Sequence, residues 1–318
     1  MVNGSLRLVF LGTPQFAVPA LEAIAAAGHD VALVVTQPDR PKGRQQETAF
    51  SPVKQKALDL GLNVYQPERI RKPEAKDTLA AVGAEAMVVV GYGQILPQAI
   101  LDLAPLGIIN VHASLLPKYR GAGPVQWAIA LGETVTGVTT MRIDAGLDTG
   151  DVLLAEETQI SETETAIELA GRLAEMGAAL LVKTLAGIAQ GTITPRPQDH
   201  AEATYAPMLK KEDGLLDWTL PARALDNRIR AFQPWPGCYT RFRGSKLHIW
   251  KARVASPEKE VEPGRLLAKG NRLLAVCGGN TALELIEVQL EGRKKMPAAA
   301  FLNGQRLLEY EILGEQVT

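Results

Sequence analysis

Short apolar runs alternate with stretches of helical periodicity through the first 190 residues. The runs that predict strands cover residues 6–11, 31–36, 63–65, 86–90, 108–111 and 152–158. Apolar residues at three- and four-residue spacing predict helices over residues 16–27, 51–60, 73–82 and 163–190. Strands that alternate with helices form mostly parallel sheets with helices on both faces. We therefore expect a doubly wound, Rossmann-like α/β domain over residues 1–190.

The hydrophobic pattern changes after this region. Residues 191–208 are rich in proline, threonine and acidic side chains, a composition typical of a linker. Beyond them, short apolar runs at 246–254, 265–267, 273–276 and 283–290 are separated by glycine and proline. Short strands with such spacing predict a small β-barrel domain over residues 209–318.

Composition narrows the class of protein. The hydrophobic fraction of 46% and the charged fraction of 22% are typical of globular chains. No basic leader precedes the first strand, and the apolar stretch at 80–90 is interrupted by Glu85. Cys238 and Cys277 form no CxxC pair. We expect a cytoplasmic protein with no membrane span, no disulfide scaffold and no metal.

The charge is unevenly distributed along the chain. Of the 34 basic and 35 acidic residues, 18 and 13 lie from Ala206 onward, which leaves 16 and 22 in the first part. An acidic first part joined to a basic second part predicts that the second part meets a polyanion. Chance scatter between the two parts is the alternative.

Polar residues fall where predicted strands end, which is where open parallel sheets bind ligands. Gly12, Gly91 and Asn110 all lie at such positions. The first turn, GTPQF, lacks GxGxxG, and no GxxxxGK[ST] occurs in the chain. The sequence therefore disfavours a dinucleotide cofactor and a nucleotide triphosphatase. Gly12 alone is equally consistent with a simple turn.

An amide and an imidazole stand together at the end of one predicted strand. Of the four histidines, only His112 has a polar partner there, because Asn110 lies two residues away and extended geometry turns both side chains to one face. Asp144, Asp148 and Asp151 follow in a glycine-rich stretch, and spacing does not choose among them. An amide, an imidazole and a carboxylate are the parts of an acyl-transfer site without a covalent nucleophile.

Two further features indicate contacts with nucleic acid. Residues 36–51 form a long polar loop, a feature that tends to be functional or mobile, with a solvated insertion as the alternative. Between residues 223 and 253 the chain is almost free of acids and carries the basic residues Arg223, Arg228, Arg230, Arg241, Arg243, Lys246, Lys251 and Arg253. Basic side chains contact phosphates, whereas we expect most of the interleaved aromatic residues to be structural.

The chain resembles the methionyl-tRNA formyltransferases over nearly its whole length. The matching stretches are FLGTPQFAVPAL, TQPDRPKGR, SPVK, VVGYGQILP, NVHASLLPKYRGAGPVQWAI, DAGLDTGDVL, IRAFQPWPG and GRKKMPAAAFLNG. SLLP and Asn-x-His also occur in other enzymes that use 10-formyltetrahydrofolate, so these two elements indicate folate chemistry alone. The stretch TQPDRPKGR followed by SPVK, together with the basic second part, favours the tRNA-dependent enzymes.

The resemblance implies transfer of a formyl group from 10-formyltetrahydrofolate to methionine carried by initiator tRNA. It implies that Asn110, His112 and Asp148 are catalytic and that the second domain is OB-like. It also implies that the folate site contains Gly91, Tyr92, Gly93, Ile95, Leu96, Ser114, Leu115, Leu116 and Pro117. The tRNA contacts that we expect are Arg40, Lys42, Arg44, Arg228, Arg230, Arg241, Arg243 and Lys246. After Arg44 the chain reads QQET where some relatives carry lysines, which predicts weaker phosphate contacts there.

Three hypotheses therefore stand at the level of the sequence. The first is a tRNA-dependent formyltransferase that acts as a monomer. The second is a formyltransferase or hydrolase of a small substrate, which the basic second part and the loop at 36–51 disfavour. The third is a nucleic-acid-binding protein with an inactive folate domain, which the presence of Asn110, His112 and Asp148 disfavours.

Overall fold

The computed structural model describes residues 4–42, 47–257, 261–308 and 311–314. Its strands are β1 (Arg7–Gly12), β2 (Asp30–Val35), β3 (Arg40–Lys42), β4 (Glu47–Ala49), β5 (Val64–Tyr65), β6 (Ala86–Val90), β7 (Ile108–His112), β8 (Val135–Arg142), β9 (Val152–Gln159), β10 (Cys238–Phe242), β11 (Ser245–Ala255), β12 (Leu266–Lys269), β13 (Arg272–Cys277), β14 (Thr281–Leu290) and β15 (Met296–Pro297). Its helices are α1 (Val18–Ala26), α2 (Pro52–Asp59), α3 (Pro73–Val82), α4 (Gln98–Leu101), α5 (Pro124–Ala130), α6 (Ala166–Ala189), α7 (Ala222–Ala231) and α8 (Ala298–Gln305).

The first sheet has the strand order β5-β2-β1-β6-β7-β8-β9. Strands β5, β2, β1, β6 and β7 run parallel, whereas β8 is antiparallel to both of its neighbours. The chain order reverses between β1 and β6, and a crevice forms at such a reversal. The predicted Rossmann-like, mostly parallel sheet is confirmed.

The core lies on both faces of this sheet. Leu8 and Phe10 of β1 pack in one apolar cluster with residues of α1 and α6, whereas Val9 and Leu11 pack in another with residues of α3 and α4. This alternation follows from extended geometry, which turns successive side chains to opposite faces. Helices therefore cover both faces, as the alternation of elements predicts.

The helix ends follow ordinary capping chemistry. Helix α3 begins at Pro73 and ends before Gly83, which has φ of 63° and so lies in the left-handed region. Helix α2 follows Ser51, whose hydroxyl accepts a hydrogen bond from the backbone N–H of Lys54 at 3.1 Å. These signals are readable in the sequence, and the predicted bounds of both helices agree with the structure to within a residue.

The second sheet is antiparallel and has the order β10-β11-β14-β13-β12, with β15 paired to β14. The predicted strand-rich second part is confirmed. The contacts divide the chain into two units, of which the first contains Met1–Pro124, Val135–Gln159 and Ala170–Ala206, and the second contains Val125–Thr134, Ile160–Leu169 and Pro207–Thr318. The segment whose composition predicts a linker therefore belongs to the first unit as far as Ala206. In the described part of the chain, no helix combines the length and the apolar character that a membrane span requires.

Candidate active site

Asn110 and His112 lie on β7, between β6 and β8. The side chain of His112 is buried, and Asn110 is half-buried one pleat away on the same face of the strand. Within the described ranges, the amide of Asn110 makes no hydrogen bond to another protein group. A half-buried amide with both donors unused can bind a ligand oxygen.

The imidazole of His112 is anchored through one nitrogen and faces a carboxylate with the other. Its Nε2 lies 2.9 Å from the carbonyl oxygen of Tyr119, and a carbonyl oxygen can only accept. Its Nδ1 lies 3.7 Å from Oδ2 of Asp148, which is ion-pair distance and longer than a direct hydrogen bond. The nitrogen on the Asp148 side is therefore the one that is free to exchange a proton with a substrate.

Asp148 is the aspartate that the fold brings to this imidazole. Its Oδ2 also accepts the backbone N–H of Gly121 at 2.8 Å. Asp144 instead accepts hydrogen bonds from the N–H of Gly146 and the hydroxyl of Thr149, at 3.0 and 2.7 Å. Spacing left the choice among the three aspartates open, and the resemblance implied Asp148. The geometry also favours Asp148, which lies within ion-pair distance of His112.

The backbone of Asp148 is unusual. Its φ of 51° lies in the left-handed region, which residues with side chains adopt rarely but Asp and Asn tolerate best. Gly150, two residues later, approaches β8 so closely that a Cβ atom would lie 1.9 Å from the carbonyl oxygen of Arg142. The glycines of the DAGLDTGDVL stretch thus allow the loop to carry Asp148 back over the sheet.

Two buried polar side chains that were not predicted from the sequence lie beside this loop. Arg120 is 2% exposed and Gln198 is 7% exposed. Nη2 and Nε of Arg120 donate to Oε1 of Gln198 at 2.7 and 3.1 Å, and Nε2 of Gln198 donates to the carbonyl oxygens of Asp148 and Gly150. Arg120 follows the Asn-x-His motif closely in sequence and could have been suspected. Gln198 has no local signal, because it lies in the proline-rich stretch.

The predicted folate-binding turn is held by β8. The hydroxyl of Thr139 donates to the carbonyl oxygen of Ser114 at 2.7 Å and accepts the N–H of Leu116 at 3.2 Å. The hydroxyl of Ser114 is buried and donates to the carbonyl oxygen of Lys118 at 2.6 Å. The Leu116–Pro117 peptide is cis. Leu115, Leu116 and Pro117 remain partly exposed, so these are the residues of the turn that can contact a ligand.

The second predicted folate-binding element follows β6. Gly91 and Gly93 have φ of 58° and 87°, and a Cβ on Gly91 would lie 2.9 Å from Cγ of Pro14. Ile95 is 91% exposed, whereas Leu96 is buried. Tyr92 is also buried, and burial is the main reason that its pKa is raised to about 12. Its hydroxyl has no hydrogen-bond partner among the described residues, so Tyr92 contributes to this loop as a packed side chain.

The same loop is bonded to the start of the loop at 36–51. Nε2 of Gln37 donates to the carbonyl oxygen of Tyr92 at 3.0 Å and Nε2 of Gln94 donates to Oε1 of Gln37 at 3.2 Å. Asp39 pairs with Lys54, and this hydrogen bond is the largest influence that lowers the pKa of the Asp39 carboxyl. The start of the long loop is therefore fixed on the first unit.

The predicted tRNA contacts in this loop are only partly described. Arg40 begins β3 and is exposed. The side chain of Lys42 and the whole of Arg44 lie outside the described residues.

The predicted tRNA contacts of the second unit differ in exposure. Arg230 is 13% exposed in its side chain and donates to Asp226, Asn227 and the carbonyl oxygen of Glu164. Arg228 lies over the ring of Phe232, Lys246 lies 4.3 Å from the ring centre of Tyr239, and Arg243 pairs with Glu311. Arg241 is exposed on β10. Arg230 packs inward, whereas Arg241 is presented to solvent.

Strand β7 and the loop at 148 supply an amide without a hydrogen-bond partner in the described part of the chain, an imidazole with one engaged nitrogen, and a carboxylate. Such a set can stabilise an oxyanion and move a proton. Within the described ranges, no group of three or more His, Cys, Asp or Glu side chains is arranged to hold a metal ion.

Comparisons with known proteins cover nearly the whole chain. The family model for formyl transferase matches residues 6–185, and that for formyl transferase, C-terminal domain, matches residues 208–306. The methionyl-tRNA formyltransferase of Solibacter usitatus is 64% identical over 310 residues, covering 98% of this chain and 99% of that protein. The methionyl-tRNA formyltransferase of Koribacter versatilis is 59% identical over 308 residues, covering 96% and 98%. Among solved structures, HypX from Aquifex aeolicus in complex with tetrahydrofolic acid has a similar fold, with a TM-score of 0.64 at 17% identity, covering 94% of this chain and 47% of that chain.

Proposed function

The chain belongs to the formyl transferase family, and from this premise we infer that it transfers the formyl group of 10-formyltetrahydrofolate to the α-amino group of methionine on initiator methionyl-tRNA. The observation that carries this conclusion is the close identity to methionyl-tRNA formyltransferases across both domains. We further propose that Asn110, His112 and Asp148 perform the reaction. Their support is the geometry of β7 and of the loop at Asp148.

Asn110 has the role of stabilising the transition state. The methionine amine attacks the formyl carbon, and negative charge develops on the formyl oxygen. The amide of Asn110 has both N–H donors unused within the described chain, so it can donate to that oxygen. Loss of a donor of this kind typically lowers kcat by about 10²–10³.

His112 has the role of moving the proton. The attacking amine must lose a proton and the leaving nitrogen of the folate must gain one. Because Nε2 is engaged by the carbonyl oxygen of Tyr119, Nδ1 is the ring nitrogen that carries out this exchange. Asp148 Oδ2, 3.7 Å from Nδ1, supplies the negative charge that stabilises the ring while it holds the extra proton. The amine is itself the nucleophile, so no covalent enzyme intermediate is required.

The folate is bound by the turn and the loop that flank these residues. We propose that Ser114, Leu115, Leu116 and Pro117 form one wall, with Ser114 acting through the shape of the turn. The loop at 91–96 forms the other wall, in which the positive φ angles of Gly91 and Gly93 bring backbone groups close to the ligand. The partly exposed apolar residues of the turn and Ile95 supply the surface on which a pterin ring can pack.

The tRNA is bound by the loop at 36–51 and by the basic second domain. In this proposal Arg40, Lys42 and Arg44 contact the acceptor end, and Arg228, Arg241, Arg243 and Lys246 contact phosphates. Arg230 supports helix α7 from within, given its bonds to Asp226 and Glu164. The proposal includes a catalytic domain at 1–190, a connecting segment at 191–208 that packs with the first unit as far as Ala206, and a tRNA-binding domain at 209–318. It also includes a monomeric state and a cytoplasmic location.

The decisive experiment is formyl transfer from 10-formyltetrahydrofolate to charged initiator methionyl-tRNA, with charged elongator methionyl-tRNA in parallel. The proposed function requires rapid formylation of the initiator and slow formylation of the elongator. Consumption of the folate without formylated tRNA would instead establish a hydrolase or a transferase of a small substrate.

A further inference from the structure

The segment at 196–206 is bonded to both loops that surround His112. Arg196 and Val152 exchange two backbone hydrogen bonds at 2.8 and 2.9 Å, next to the loop of Asp148. The hydroxyl of Thr204 accepts the N–H of Tyr119 at 2.9 Å, and its carbonyl oxygen accepts the N–H of Arg120 at 2.9 Å. A segment with the composition of a linker therefore supports the residues that contact the imidazole.

Gln198 is the side chain at the centre of this support. Its Oε1 accepts Nη2 and Nε of Arg120, and its Nε2 donates to the carbonyl oxygens of Asp148 at 3.0 Å and Gly150 at 2.7 Å. A guanidinium can only donate hydrogen bonds, so Oε1 must face Arg120. The amide is thereby locked with its two donors toward the backbone of the aspartate loop.

The charge of Arg120 is unusual in this environment. Arg120 is 2% exposed, and across the described ranges no carboxylate lies within ion-pair distance of it. Its partners are the neutral amide of Gln198 and Nδ1 of His200, at 3.2 Å from Nη2. Buried charges are normally paired with opposite charges, because desolvation is unfavourable. Stability of the fold alone therefore gives no reason for a guanidinium here.

Gln198 holds Asp148, whose carboxylate must lie beside His112 in the proposed reaction. Asp148 has φ of 51°, a conformation that needs support from its surroundings. Gln198 holds the backbone carbonyl of Asp148, and Gly121 holds its carboxylate. If the carbonyl lost its partner, the peptide could rotate and carry the carboxylate away from Nδ1 of His112.

We propose that Arg120 and Gln198 are positioning residues that fix the carboxylate of Asp148 against the imidazole of His112. Arg120 orients the amide of Gln198, and Gln198 sets the backbone of Asp148. This inference rests on the proposed formyl transfer, since that reaction supplies its readout.

The test is a double-mutant cycle in the full chain. Gln198→Met keeps the length of the side chain but removes both donors and the acceptor. We expect kcat for formylation to fall about 10- to 100-fold, as small misplacements at a reacting centre do, with KM for tRNA changed less than about threefold. The same change is then made in the Asp148→Asn variant, whose formylation rate is measured by single-turnover kinetics with enzyme in excess. There Gln198→Met should lower the rate by less than about threefold, because no carboxylate remains at position 148 to be misplaced.

A second variant separates positioning from stability. Gln198→Glu gives Arg120 a carboxylate to pair with but turns acceptor oxygens toward the carbonyl oxygens of Asp148 and Gly150. We expect a melting temperature at or above that of Gln198→Met, and a kcat at least as low. The matched control is Gln190→Met, at an exposed glutamine after α6 whose side chain makes no hydrogen bond in the described chain; its kcat should equal that of the parent.

Three results would overturn the proposal. One is an unchanged kcat in Gln198→Met, and another is an equal loss in the Asp148→Asn background. The third is a Gln198→Glu protein in which both kcat and the melting temperature return to the values of the parent. Failure of the proposed function is distinct from all of these, because the parent protein would then fail to formylate methionyl-tRNA.

Discussion

Nε2 of His112 lies 2.9 Å from the carbonyl oxygen of Tyr119, so the opposite ring nitrogen faces Asp148. The carbonyl fixes the plane of the ring and keeps a proton on Nε2. The ring itself is buried. One ring nitrogen of His112 is therefore anchored by a hydrogen bond, and the other faces the carboxylate of Asp148.

Substitution of His112 by alanine should remove formyl transfer and leave tRNA binding intact. Proton transfer by a positioned side chain typically accelerates a reaction about 10²–10⁴-fold, so kcat for formyl transfer should fall at least about 10²-fold. Filter binding of charged tRNA measures the second half of the prediction. Loss of tRNA affinity together with kcat would count against the catalytic assignment.

Substitution of Asn110 by alanine tests the oxyanion contact. We expect kcat to fall about 10²–10³-fold with little change in KM for either substrate, since the contact strengthens only as charge develops. Asn110→Asp is the matched variant, because it keeps the shape of the side chain and replaces the two donors with a carboxylate. A fully active Asn110→Asp enzyme would show that the side chain does not donate to the oxyanion.

The backbone N–H of Gly121 donates to the carboxylate of Asp148 at 2.8 Å, and a side chain at Gly121 would be strained. Its φ is 111°, and a Cβ atom would lie 2.8 Å from the carbonyl oxygen of Ala206. Gly121→Ala should therefore destabilise the fold by about 1–3 kcal/mol and lower kcat, because its N–H moves away from Asp148. Gly171→Ala within α6 is the control, since the added methyl group would meet no atom within 4 Å; it should stabilise the helix by about 0.5–1 kcal/mol. Thermal unfolding of the two variants should show opposite shifts.

Tyr92 should make the fold sensitive to alkaline pH. Burial raises the pKa of its phenol from 10.0 to about 12, so the unfolded chain loses this proton at lower pH than the folded chain does. Stability contributed by the neutral phenol is complete below pH 10 and is lost as the pH rises toward 12, by up to about 1.4 kcal/mol per pH unit.

The matching variant is Tyr92→Phe, which also removes a buried hydroxyl without a partner in the described chain. At pH 7 its free energy of unfolding should equal or exceed that of the parent. Between pH 10 and 12 its advantage should grow. Denaturant unfolding at pH 7 and between pH 10 and 12 measures the difference in free energy of unfolding between the two proteins. If this free energy changed with pH equally in both, the Tyr92 phenol would have the same pKa in the folded and the unfolded chain, contrary to the prediction.

The sequence predicted the elements that carry strong local signals. Helix α3 has a proline at its start and a glycine after its end, and β6 is a continuous apolar run, so both were predicted with their observed bounds. Strand β8 was missed because it reads VTGVTTMR, in which threonines occupy buried positions that the hydrophobic pattern expects to be apolar. Helix α7 was missed because its buried face includes Asp226 and Asn227.

The candidate site was predictable from the sequence only where its residues lie close together along the chain. Asn110 and His112 are two residues apart on one strand, so local geometry brings them to one face. Spacing could not choose Asp148 over Asp144, because that choice depends on the path of a loop, and only the resemblance implied Asp148. Gln198 lies 78 positions beyond Arg120, and no spacing rule connects a buried amide in a proline-rich stretch to that arginine.

The loop at 36–51 should be tested through Arg44, whose position lies outside the described residues. Because this chain reads QQET after Arg44, fewer neighbouring cations share the phosphate contacts, and a single change should have a clear effect. We expect Arg44→Ala to lower kcat/KM for charged tRNA and to reduce the slope of log kcat/KM against log salt by about one, the contribution of one phosphate contact. KM for the folate should be unchanged. Arg71→Ala, at an exposed arginine of the first unit, is the control and should leave both quantities unaltered. Identical salt slopes for the parent and Arg44→Ala would remove this loop from the tRNA-binding surface.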